Sequence, residues 1–410
     1  MDEASFHLQA PSSGSWPNFT THRKKRNEKQ VGAGFKPAPT FIPAPNEHLD
    51  GLTQVIAGVV DRVVKFVSKR REQDHATLDA DATLINTHKK NALYCYEGYK
   101  AYQPFNFFWA ELCLVLYTQF RDGNVPAGYG QLEALKEALS LLPYSVKKVL
   151  FRADSASYNH DLLTYMARGK DPRFGVIEFA VSADLSSSLR QSITQIPEWK
   201  WTAYQKHNGK KWVPTNQEWA VADFVPSAIC DTKKDEGYKY IVIREKLKQQ
   251  PLPGIDPKQL NLPFQVARLG AQKKLYKLSA IVTNRHLPEE EIISWHRQRC
   301  GHDEHSHSEL KSALGGGQLP SGDFGENAAW WGCAVLAYNL NQALKLLAMP
   351  AKWIGSRIKA IRLLMINLPG RVIKRSRQLM IRLTAGHPSN QLLRSICHAI
   401  NALYEEPLVI

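Results

Sequence analysis

The sequence predicts a mixed α/β protein with a mainly β insertion and a basic helical end. Three observations carry that expectation. From about residue 76, strand-like runs alternate with helix-period segments. Residues 174–285 hold strand-like runs separated by turn-rich intervals, and from 288 onward the pattern becomes helical. The chain of 410 residues is 43% hydrophobic, enough for a sizeable core and two or three domains.

The elements follow in order. Residues 1–46 combine PSSGSWP, the basic run HRKKR (22–26) and the Pro-rich GFKPAPTFIPAPN, a composition that buries little, so a mobile tail is expected. Leu52, Val55, Ile56, Val59, Val60, Val63 and Val67 recur at helical spacing, which places an amphipathic helix between 47 and 75. ATLDADATLI reads as a strand. ALYCYEGYKAYQPF and WAELCLVLYTQFR read as two more, joined around Pro104. A helix ending near Pro143, the strand KKVLFRADS and a short helix stopped by Gly169 follow. The order β-β-β-α-β-α over 76–173 resembles the start of a ribonuclease H-like domain. FGVIEFAVSA, WKWTAY, EWAVADFV, YKYIVIRE and KLYKLSAIVT form the insertion at 174–285. EEEIISWHRQRCG, SHSELKSAL and NAAWWGCAVLAYNLNQALKLL return the chain to helix over 286–345, and 346–410 is expected to be a basic helical region.

Charge narrows the partners. The net charge is +15, which points to an anionic partner, and nucleic acid is the commonest one. From Asn327 to Tyr404 there is no Asp or Glu, while eleven Lys or Arg lie there. Interleaved with apolar residues, as in IKAIRLLMI, they suggest helices with one buried and one phosphate-facing side. Six scattered cysteines without CxxC spacing argue against a disulfide framework or a zinc ribbon and fit a reducing cytoplasm. No signal peptide and no membrane-length apolar run is visible, so no membrane partner is expected.

Several acids have a setting for chemistry. Asp79 and Asp81 are two apart in LDADAT, so on a strand they share a face. Side by side they repel unless a cation or proton separates them. Asp154 ends the run KKVLFRAD, where a carboxylate also serves as a helix cap. Arg152 shares its face and can hold it or a phosphate. Glu304 and Lys311, seven apart, share a helix face two turns apart, with Arg299 upstream and His307 on the same face. Two Asp and one Glu are a reasonable oxygen-ligand set for paired Mg²⁺ ions, which activate a water or 3′-hydroxyl and stabilise the leaving oxygen. His296, His302, His305 and His307 match no familiar zinc spacing. Of Trp199, Trp201, Trp212 and Trp219 in the insertion, an exposed one can stack on an unpaired base.

The stretches TLDADATLI, YEGYKAYQPF, QFRDGNVPAG, VLFRADSA, RCGHDEHSHSELK, GGGQLPSGDFGENAAWW and LAYNL run from about 77 to 345, and LPGRVIKRSR follows. In that order they resemble a bacterial insertion-sequence DDE transposase of the group with a Tyr-Arg-Glu-Lys signature and a β-strand insertion. The resemblance implies catalytic and metal-binding acids at Asp81 (Asp79 as the alternative), Asp154 and Glu304. It maps the signature's Arg and Lys to Arg299 and Lys311, with Arg152 and His307 as further DNA contacts. Trp295 or His296 stands where the signature has Tyr, and four residues rather than three separate Arg299 from Glu304.

The resemblance further implies Mg²⁺ (Mn²⁺ able to substitute), double-stranded DNA as terminal inverted repeats and target, a homodimer in the synaptic complex, and a cytoplasmic, nucleoid-associated location. Residues 47–75 then correspond to a remnant of an N-terminal DNA-binding region. The alternative expectation is a truncated or degenerate copy that binds DNA without transposing.

Overall fold

In the computed structural model the described residues are 5–8, 47–207, 211–226, 238–247, 264–270, 274–375, 378–384 and 386–405. The side chains of 5–8, 47–48, 207, 300–304, 375, 378 and 404–405 fall outside that description. The basic run at 22–26 lies outside it as well. The chain forms two compact units, Ile42–Leu347 and Met1–Phe41 with Ala348–Ile410.

The larger unit opens with α1 (Glu47–Ser68), whose Val60, Val63, Val64 and Val67 are buried as the stripe requires. Next come β1 (His75–Ala82), β2 (Phe105–Trp109), β3 (Leu114–Gln119), α2 (Gln131–Ser140), β4 (Lys148–Ala153), α3 (His160–Ala167) and β5 (Glu178–Ala183). α2 begins at Gln131, directly after Gly130 in the left-handed region at φ 61°. Both strands expected after ATLDADATLI are broken. ALYCYEGYKAYQPF gives only the short strands Leu93–Tyr94 and Lys100–Tyr102 of a separate sheet with Ile85–Asn86. In WAELCLVLYTQFR a tight turn with Cys113 at φ 53° separates β2 from β3 and makes them antiparallel neighbours.

The insertion supplies α4 (Ser187–Thr194), β6 (Thr202–His207), β7 (Trp212–Ala222), β8 (Lys239–Lys246), β9 (Val266–Leu269) and β10 (Lys274–Thr283). Its strands extend the first sheet. The strand order is β6-β7-β8-β10-β5-β4-β1-β2-β3, with β9 also paired to β10. β10 pairs antiparallel with β5 from Ala280↔Ala183 to Thr283↔Ala180, so the row of backbone groups that would end the sheet at β5 is satisfied. Among the described strands only the β1–β4 and β4–β5 pairs are parallel. The helices α5 (Glu289–Ser308), which continues into a wide turn at Glu309–Ala313, and α6 (Phe324–Ala348) complete the unit.

Side-chain alternation assigns the faces. Leu78, Ala80, Phe151 and Ala153 join α1, α2 and α3 in the main core. Asp79 and Arg152 therefore point to the opposite face, where α5 crosses β1, β4 and β5. A second cluster, with Phe108, Val115, Trp331, Val335 and Tyr338, packs α6 beneath β2 and β3.

In the smaller unit the expectation of a wholly helical basic segment is corrected. Gly370–Arg375 and Gln378–Leu383 are antiparallel strands, and Ser5–Leu8 pairs with the second of them. Pro369 and Gly370 end the helical turns at 358–366, and β-branched Val372 and Ile373 favour extended backbone. Helix returns at Ser389–Glu405.

Candidate active site

The parallel register of β1 and β4 builds the site. Asp79 lies opposite Arg152 and Ala80 opposite Ala153. One step further, the C-terminal ends of both strands carry Asp81 and Asp154 on the face covered by α5. Neighbouring strands run about 4.8 Å apart, so these carboxylates stand beside each other at an open strand end.

The two acids of LDADAT have different surroundings. Asp79 is fully buried, and Arg152 donates to it from Nε at 2.6 Å and from Nη2 at 2.7 Å. Arg152 is itself 2% exposed and donates from Nη1 to the Trp295 carbonyl at 2.6 Å. Trp295 lies between two guanidiniums, with Arg285 at 4.1 Å and Arg152 at 5.1 Å from its ring centre. Expected at a phosphate, Arg152 instead holds Asp79 and docks α5 on β4. His296 serves the same docking, donating from Nε2 to the Ala153 carbonyl at 3.1 Å. Burial, with Arg299 and Arg152 nearby, lowers its pKa to about 4, so the ring stays neutral.

Asp81 keeps an accessible edge. Its side chain is 19% exposed, with Arg299 Nη1 at 3.9 Å and His307 Nδ1 at 3.5 Å from Oδ2. Burial pushes its carboxyl up to about 7 against the pull of Arg299, and repulsion from Asp154 and Asp79 adds to the rise. Lys311 approaches from the turn after α5 and donates to the Leu84 carbonyl at 3.4 Å. Burial lowers its pKa, while Asp81 raises it. Asp154 is half-buried and accepts from the Ala156 amide at 3.0 Å. It therefore caps the short helical turn Ser155–Ser157 while its carboxylate remains beside Asp81.

Arg299 and His307 lie on one face of α5, two turns apart, and both reach Asp81. Glu304 falls between them on that helix, and its side chain lies outside the described residues. Among the described residues no three His, Cys, Asp or Glu side chains form a metal-holding group. The donor chemistry nevertheless fits a hard divalent cation. Asp81 and Asp154 offer carboxylate oxygens at one open strand end, and a cation between them relieves their repulsion.

Two functional-site neighbours escaped sequence reasoning. Asn106, opposite Asp81 on β2, is fully buried and lies with its Nδ2 3.4 Å from His307 Nε2. Thr118 donates to Asn106 Oδ1 at 2.6 Å. The available signal was an amide inside the aromatic run FNFFW, where every residue is buried. Of the insertion tryptophans, Trp199 is 79% and Trp212 45% exposed, whereas Arg244 stacks on Trp201 at 4.2 Å and Trp219 bonds Glu290.

No curated protein matches the chain. Among solved structures, it is similar to a piggyBac transposase synaptic complex with hairpin DNA, at 10% identity and a TM-score of 0.33. That likeness covers 71% of this chain, which spans 57% of the length of that transposase chain. No described helix is long and apolar enough to cross a membrane. Residues 264–405, which contain α5 and with it Arg299, Glu304 and His307, match the model of the family described as Transposase DDE domain group 1.

Proposed function

We propose that this chain is a DDE transposase that cuts the phosphodiester at insertion-sequence ends and joins the freed 3′-hydroxyl to target DNA. The observation that carries the reading is the juxtaposition of Asp81 and Asp154 at adjacent parallel strand ends, under a helix that lies within the matched DDE-domain segment. The half-sheet β3-β2-β1-β4-β5, with three antiparallel strands before the parallel pair, supports a ribonuclease H-like catalytic domain.

In this reading Asp81, Asp154 and Glu304 hold divalent cations, Mg²⁺ or in its place Mn²⁺. When bound, the cations supply a nucleophilic water or 3′-hydroxyl and neutralise the leaving oxygen. Asp79 has no such role, because Arg152 occupies both of its oxygens. Arg299 and Lys311 bring positive charge to the same strand end, where negative charge develops on the transferring phosphate. The pre-set orientation of the two acids by β1, β4 and the Ala156 cap spares the reaction part of its ordering cost.

The partners in this proposal are terminal inverted repeats and target DNA, held by a homodimer at synapsis in a cytoplasmic, nucleoid-associated setting. The Tyr-Arg-Glu-Lys grouping rests on Arg299, Glu304 and Lys311. The basic segment after Asn327, with ten Lys or Arg besides the buried Lys345, suits phosphate contacts. A donor plasmid flanked by the cognate inverted repeats tests the function. Excision and insertion dependent on this protein are expected; DNA binding without either product would indicate a degenerate copy.

A further inference from the structure

A chain of hydrogen bonds runs from α6 through the sheet to His307, whose other ring nitrogen stands in contact distance of Asp81. The Trp331 indole N–H can only donate, and it donates to Thr118 Oγ1 at 2.9 Å. The Thr118 hydroxyl proton is directed to Asn106 Oδ1 at 2.6 Å. With its oxygen accepting, Asn106 turns its N–H₂ toward His307, and Nδ2 lies 3.4 Å from Nε2. A neutral imidazole that accepts at Nε2 carries its proton on Nδ1. That nitrogen is 3.5 Å from Asp81 Oδ2. Reversing the order would turn the Asn106 amide over and leave the Thr118 proton without its acceptor, which is costly beside the buried Asn106.

The members are fixed in place. Asn106 and Trp331 are 0% and His307 7% exposed. The Phe108 ring meets His307 edge-on at 5.4 Å. The four residues come from β2, β3, α5 and α6, so the chain ties those four elements together beside the first acid.

We propose that Trp331, Thr118 and Asn106 lock His307 in its Nδ1–H tautomer, and that His307 thereby holds one oxygen of Asp81 and aims the carboxylate for metal binding. This rests on the proposed metal-dependent function and makes His307 a positioning residue rather than a contact to DNA. A hydrogen bond behind a metal ligand typically fixes its orientation, and losing one weakens metal binding about 10–100-fold.

The test has two readouts on the full chain. Nitrogen-15 labelled histidine, read by long-range proton–nitrogen correlation in metal-free protein, reports the tautomer, with the His307 signal assigned by its loss in His307→Asn. A protonated Nδ1 and a bare Nε2 are expected; an Nε2–H ring or a doubly protonated ring near neutral pH overturns the proposal.

Manganese binding, read by electron paramagnetic resonance, reports the effect on the site. Thr118→Val is expected to mix the tautomers and weaken Mn²⁺ binding about tenfold; an unchanged tautomer and affinity overturn the proposal. His307→Asn, whose amide can donate near the Nδ1 position, is expected to bind Mn²⁺ more tightly than His307→Gln, and the opposite order counts against positioning. If wild-type protein binds no Mn²⁺, the metal reading of the site fails, while the tautomer spectrum still decides the hydrogen-bond chain. Should Thr118→Val not fold, the wild-type spectrum alone decides it.

Discussion

Arg152 grips Asp79 through two hydrogen bonds of 2.6 and 2.7 Å inside the sheet, and this pairing divides the two acids of LDADAT between structure and chemistry. Asp79, fully buried, is satisfied by a guanidinium that also fastens α5 to β4. Asp81, two residues nearer the strand end, faces Asp154 and keeps an edge open. The same two-residue spacing that made the acids indistinguishable in sequence puts them in opposite electrostatic settings.

That division predicts a stability effect. Replacing Arg152 by Met leaves the Asp79 charge buried without its partner, and Asp79→Asn removes the charge that Arg152 was folded around. Each is expected to cost roughly 3–5 kcal/mol, as breaking a buried ion pair typically does. Urea denaturation followed by tryptophan fluorescence measures it. A variant as stable as wild type would show that the pair contributes little to holding α5 on the sheet.

Much of this arrangement was legible in the residues, and the limits have physical reasons. The helix and strand that follow the meander come from apolar periodicity, and the sharing of a face by Asp79 and Asp81 from the pleat. The meander's second strand lies in FNFFW and not in the expected run ALYCYEGYKAYQPF, whose apolar residues form a small separate sheet. The choice between those two acids was not legible, because it depends on which one the neighbouring strand's Arg152 reaches. Arg152 itself reads as a phosphate contact from its position beside Asp154, yet the register opposite Asp79 takes it out of solvent. The continuity of the sheet through β5 and β10 depends on pairing between residues about a hundred apart, which no local pattern encodes. The strands at 370–383 were hidden by basic residues interleaved with apolar ones, a pattern that a helix shares.

The buried neutral His296 predicts a pH dependence. Its folded pKa of about 4 lies below the ordinary imidazole value of 6.5, so the folded state binds fewer protons between those values. The stability it contributes is complete above about 6.5, declines as pH falls and is lost by about 4. That interval is worth about 3 kcal/mol. Asp81, raised to about 7, acts in the opposite sense as pH falls, so total stability is not the right readout. The stability difference between wild type and His296→Asn isolates the ring. Urea titrations from neutral pH to pH 4 are expected to show that difference shrinking; a constant difference would show that the ring titrates alike folded and unfolded.

Gly128 couples a surface loop to the second acid. A Cβ there would lie 2.7 Å from the Ala156 carbonyl oxygen. Ala156 is the residue whose amide Asp154 caps. Gly128→Ala is therefore expected to displace the turn that orients Asp154. A shift near 1 Å costs cleavage up to about a hundredfold. Single-turnover cleavage, compared with the melting temperature, separates this from general unfolding. Unchanged cleavage in a folded variant would mean that the turn absorbs the methyl group.

The most direct measurement is metal-dependent cleavage of DNA carrying the cognate ends by wild type, Asp154→Asn and Asp81→Asn. Each variant is expected to bind that DNA with nearly wild-type affinity and to leave both strands uncut in Mg²⁺ and in Mn²⁺. Undiminished cleavage by either variant would contradict the assignment of the paired strand-end carboxylates as the catalytic acids.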